Sequence, residues 1–97
     1  MVIVAIAKYK AHDKVPRAEQ VASASCAVMA MQMAAFAQGF NGIWRTGSYA
    51  QCDTVKAGFN LSEDDEIVGF LYLGTPAIET PSKVRPEPDP FFTFWSS

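Results

Sequence analysis

The chain is poor in the residues from which reactive centres are most often built. It has one histidine, His12, and two cysteines, Cys26 and Cys52. With no CxxC pair and a lone imidazole in a polar loop, a metal site is not expected and His12 is assigned no ligand role. The two cysteines could pair, but a chain without a signal peptide reads as cytoplasmic, where such thiols stay reduced and buried. No Ser/His/Asp or Cys/His arrangement is present. Charge is sparse as well: charged residues make up 19% of the chain and the net charge is −2, which leaves no basic footprint for nucleic acid or an anionic membrane. Internal repeats and low-complexity segments are absent.

What the chain has is apolar surface, 49% of its residues. Residues 2–8, opening Val2-Ile3-Val4-Ala5-Ile6-Ala7, are β-branched and apolar with little alternation, the pattern of a buried strand. A polar connection with Lys10, His12, Asp13 and Lys14 follows. Pro16 then suits a first helical turn, Glu19 complements the helix dipole, and a helix is predicted over residues 16–38, about 33 Å long. Its Ala, Ser, Cys, Val and Met residues lie on nearly every face, so it is expected to be surrounded by protein. A membrane span is the rival reading. The apolar run over residues 21–37 falls short of the usual span of about 20 residues, contains Ser23, Ser25 and Gln32, and depends on weakly partitioning Ala and Met, so no membrane is expected. A chain this short buries only about two thirds of its unfolded surface, too little to sheathe such a helix. A partner subunit or further chain is therefore expected to cover the rest.

The segment Gln38-Gly39-Phe40-Asn41-Gly42-Ile43-Trp44-Arg45-Thr46-Gly47 reads as a glycine-bounded turn that carries one indole and one guanidinium. An arginine fork holds phosphate oxygens in bidentate fashion, glycines allow close backbone approach, and Thr46 adds a hydroxyl. A phosphorylated aromatic cofactor would fit. The plainer alternative is that Gly39 caps the helix, Trp44 fills the core and Arg45 is a solvated charge. Beyond it, Tyr49, Cys52, Val55 and Phe59 have helical spacing, with Gly58 and Asn60 as the stop. The acidic run Ser62-Glu63-Asp64-Asp65-Glu66 reads as solvated surface. Residues 66–75 form the second strong strand, in which Gly69 marks a bulge or the close approach of a helix backbone. From Ala77 onward Pro81, Pro86, Pro88 and Pro90 impose an extended path, and the end, Phe91-Phe92-Thr93-Phe94-Trp95, is aromatic and needs burial.

Taken together, Cys26-Ala27-Val28-Met29-Ala30-Met31-Gln32-Met33-Ala34-Ala35, then Gln38-Gly39 and Gly42-Ile43-Trp44-Arg45, and then Ile67-Val68-Gly69-Phe70-Leu71-Tyr72-Leu73-Gly74-Thr75-Pro76 resemble the C-terminal half of the compact bacterial FMN-dependent NAD(P)H nitroreductases. The resemblance runs from Val2, through Lys14-Val15-Pro16-Arg17, to Pro88-Asp89-Pro90-Phe91. It implies an α+β fold: a long central helix packed on a mixed sheet over residues 1–76, and an extended C-terminal arm over residues 77–97. It implies FMN held by Trp44, Arg45 and Thr46, with Arg45 on the phosphate, and NAD(P)H at Ala34, Ala35, Phe36, Ala37, Gln38 and Gly39. It implies a homodimer whose arm adds a strand to the other subunit, and electron transfer from NAD(P)H through FMN to nitro compounds or quinone-like acceptors. The Arg-Arg-Ser-type triplet that grips FMN in the family's N-terminal half has no counterpart here, so the chain reads as a fragment. Two other classes remain open: a cofactor-free dimerisation or interaction fragment, and a small binding domain for a phosphorylated ligand.

Overall fold

The computed structural model describes residues 1–96. Strand β1 (Val2–Ala7) leads to helix α1 (Arg17–Ala37), strand β2 (Asn41–Arg45), a 3-10 turn (Ser48–Gln51), helix α2 (Asp53–Gly58) and strand β3 (Glu66–Gly74). A second 3-10 turn, Asp89–Phe91, lies in the C-terminal arm. The sheet order is β1-β3-β2 and both pairings are antiparallel. The sheet expected to be mixed is thus antiparallel among the described residues. The cause is topological: α1 returns the chain so that β2 runs parallel to β1 but one strand-width away, and β3 fills the gap antiparallel to both, a split βαβ arrangement.

Pro16 stands at the N-cap of α1 in an extended conformation, one position before its predicted place. At the other end Gly39, with φ of +90°, lets Phe40 N–H donate to Ala35 O and Gly39 N–H donate to Phe36 O, the two bonds of a Schellman cap. The same device ends α2, where Asn60 takes the left-handed position and Leu61 N–H donates to Lys56 O. The helix predicted from Tyr49 onward is in fact two short pieces, broken at Cys52, whose backbone is extended.

The core lies between α1 and the sheet. Val28 and Leu71 are fully buried there, with Ala7 and Val68 beside them and Val21, Ala24, Met31 and Trp44 packed around the edge. These α1 residues recur at three- and four-residue spacing and form one stripe. The rest of the helix is not covered by its own chain: Cys26, Met29, Ala30, Met33 and Phe36 are exposed, Phe36 by 73%. The helix is long and apolar enough to cross a membrane by length and composition. Yet one stripe packs on the sheet, and Gln32 Nε2 donates to Gly42 O at 2.9 Å. Cys26, expected to be buried, is exposed on the uncovered side of α1, while Cys52 is half-buried and both thiols are free.

The acidic run also departs from expectation, because Asp65 is 2% exposed. Its carboxylate accepts from Ser62 N–H at 2.8 Å, Tyr9 N–H at 2.8 Å and Lys8 Nζ at 3.0 Å. The Ser62 amide, then the Lys8 ammonium and the Tyr9 amide, hold this carboxyl well below the usual carboxylate range. One aspartate so fastens the end of β1 to the turn before β3. The arm leaves the body after β3. Asn41 Nδ2 donates to Thr80 Oγ1 at 3.3 Å and secures its start, whereas Phe91, Phe92, Phe94 and Trp95 are exposed. The Cα radius of gyration is 17.2 Å, against about 12.5 Å for a compact domain of this length, because the arm projects outward.

Candidate functional site

The segment read as a turn is strand β2, and this decides where its side chains point. In a strand neighbouring residues face opposite sides of the sheet. Trp44 pairs with Leu71 and therefore lies on the α1 side, whereas Arg45 pairs with Phe70 and lies on the other side. The indole and the guanidinium cannot grip one ligand side by side.

Trp44 is held by a specific contact. Its Nε1–H donates to Val68 O at 3.0 Å, and the ring lies over Gly69, where a Cβ would overlap indole Nε1 and Cδ1. The same Cβ would stand 3.2 Å from the backbone oxygen of Arg45. Gly69 is a close-approach position, but its neighbour is the Trp44 indole rather than a helix backbone. A register shift in β1 between Ala5 and Ile6, opposite Gly69 and Ile67, also places a bulge beside it. Nothing in the sequence announced the Trp44–Val68 bond, since it joins residues 24 apart and depends on the strand register.

Arg45 and Thr46 are exposed at the C-terminal end of β2. Among the described residues the ion pairs are Lys8–Asp65 and Arg17–Glu66, so the Arg45 guanidinium has no carboxylate partner. An unpaired guanidinium next to a free hydroxyl, on a strand whose partner residue is Phe70, is competent to take an anion bound to an aromatic group.

The segment with Ala34, Ala35, Phe36, Ala37, Gln38 and Gly39 forms the last turn and cap of α1. Ala35 is buried, Phe36 exposed, and Gln38 Nε2 donates to Ala34 O. An apolar cavity of about 380 Å³, walled by Met31, Ala34, Phe40 and Leu73, opens on one side of this turn. A second, of about 660 Å³, lies on the other side between Met33, Phe36, Asn41 and Thr80. The turn adjoins the start of β2, whereas Arg45 ends it, about 13 Å of strand away. The chain does not bring the two sets together.

A sequence profile described as the nitroreductase family matches residues 1–75. The chain belongs to the nitroreductase family. The relative "Putative NAD(P)H nitroreductase YdjA" of Escherichia coli K12 is 51% identical over 96 residues, which are 98% of this chain and 52% of that protein. A "Putative NAD(P)H nitroreductase" of Haemophilus influenzae is 37% identical over 62 residues, 64% of this chain and 34% of that one. The crystal structure of a nitroreductase-like family protein from Bacillus cereus superposes with a TM-score of 0.81 at 20% identity, covering 99% of this chain and 51% of its own. That superposition makes the fold nitroreductase-like, of the α+β class. The chain spans about half the length of the E. coli relative it matches. The nitroreductase profile ends one residue past β3, while the likeness to the E. coli protein continues through most of the arm.

Proposed function

We propose that the protein serves as part of a flavin-dependent oxidoreductase, in which FMN is held by Arg45, Thr46 and the backbone at Trp44. The observation that supports this most is the unpartnered Arg45 beside Thr46, in a chain of the nitroreductase family. The donor set suits the phosphate end of the cofactor: the guanidinium offers two parallel N–H groups and Thr46 a hydroxyl. The Trp44 indole N–H is already engaged by Val68 O, so this residue contributes through its backbone. Bound FMN would supply the redox chemistry, taking reducing equivalents from NAD(P)H and passing them to a nitro or quinone-like acceptor. For the residues of this chain that leaves binding, orientation and exclusion of water, and no catalytic acid or base.

The nicotinamide nucleotide is assigned to the end of α1, where Ala34 and Ala37 leave room and exposed Phe36 offers a ring to stack on. The helix carbonyl end carries partial negative charge, so the nucleotide phosphates would lie away from it. We further infer a homodimer, with the bare side of α1 and the aromatic arm as contact surfaces. Those same surfaces favour the second reading, an association module that performs no chemistry. Visible absorbance separates the two. Flavin bands in freshly purified protein, or saturable binding of added FMN, are expected on the first reading. Colourless protein that leaves added FMN unchanged in absorbance and fluorescence would sink it.

A further inference from the structure

We propose that Trp44 and Gly69 form a positioning pair for Arg45, so that the anion grip depends on an indole that does not itself reach the ligand. The inference rests on the FMN reading above and names what holds its arginine in place. Gly69 is the common element. Its missing side chain seats the Trp44 indole, and the same open space admits the Arg45 carbonyl, which a Cβ would approach to 3.2 Å. The indole bond to Val68 O then clamps β2 to β3 one residue before Arg45. At the other end of the strand Gln32 Nε2 holds Gly42 O. An edge strand has only one paired side and is free to splay. Here it is pinned at both ends, and the guanidinium projects from its clamped end to the opposite face.

A residue that only stabilises the fold would affect every ligand alike. One that aims Arg45 at a phosphate affects only ligands that carry one. The test is therefore FMN against riboflavin, which has the ring system without the phosphate, titrated into the protein at its native length. Gly69→Ala, which displaces the ring, and Trp44→Phe, which keeps most of the ring and removes the N–H, are each compared with Arg45→Ala. The expected result is that both variants lose about tenfold in FMN affinity, toward the roughly ten- to hundredfold loss of Arg45→Ala, with riboflavin affinity and circular dichroism unchanged. If Gly69→Ala does not fold, Trp44→Phe decides. A preference for FMN that survives both changes while thermal stability falls would overturn the inference, as would equal loss for the two ligands. Wild-type protein that binds both ligands equally would overturn it and leave the flavin reading standing. Wild-type protein that binds neither removes both.

Discussion

Arg45 carries the most direct test at the scale of single residues. Replacing it with alanine should weaken FMN binding by about 1.5 to 3 kcal/mol, the range for a charge-assisted partner, or roughly one to two decades in affinity. Titration of the apoprotein checks this, and lysine should restore only part because it lacks the planar fork. Asp65 provides a pH-dependent test. Its folded pKa is depressed, so the stability it contributes is present above the unfolded carboxylate value of about 3.9 and is lost as pH falls below that. Thermal melts at pH 7, 4 and 2.5 should show a fall that Asp65→Asn lacks, the variant being less stable at pH 7 and flatter across the series. The burial of Asp65 was not legible in the sequence, whereas the inward Trp44, the exposed Arg45 and the Gly39 cap match the plainer of the two readings of that segment. An aspartate within Glu63-Asp64-Asp65-Glu66 looks solvated until Tyr9 and Lys8 are known to converge on it, and a Trp-Arg pair shares a face only if it is not in a strand.

At the scale of elements, α1 and the two long strands were readable because their signals are local. Apolar runs, Pro16, Gly39 and Asn60 mark the ends by chain geometry alone. Strand β2 was not, because Asn41 and Gly42 are turn-formers and its strand character comes from pairing with β3. The same dependence made the sheet direction illegible, since the parallel relation of β1 and β2 is hidden by the strand between them. Gly39→Ala should cost about 1 to 2 kcal/mol, because alanine is strained at φ of +90°. Denaturant unfolding should show the midpoint shifted with the slope unchanged. Gly58, with an ordinary helical backbone, is the control and should tolerate alanine.

Across the whole molecule the sheet-facing stripe of α1 is covered and most of the remaining helix is not, while Trp95 at the arm's end is 94% exposed. A surface of that kind is expected to be buried in an assembly. Sedimentation at micromolar concentration should show self-association, and Met29→Glu on the bare side of α1 should shift it toward monomer without loss of helical circular dichroism. Removing residues 91–97 should raise the dimer dissociation constant, each docked aromatic having contributed roughly 1.5 to 3 kcal/mol before ordering costs. An unchanged constant would mean that the arm is no part of the contact.

The order β1-β3-β2 has a consequence for the life of the newly made chain. Among the three described strands the middle one is the last in sequence, and it pairs with both others. Until residues 66–74 have left the ribosome, β1 and β2 lack the strand that joins them, and the apolar helix between them lacks the β3 face on which it packs. Sheet formation is thus a late, single event rather than a growth from the N-terminus, and the waiting intermediate displays two unpaired strands together with a long apolar helix. Nascent chains halted before residue 66 should be held by chaperones and degraded by added protease, and resistance should appear abruptly once β3 is complete.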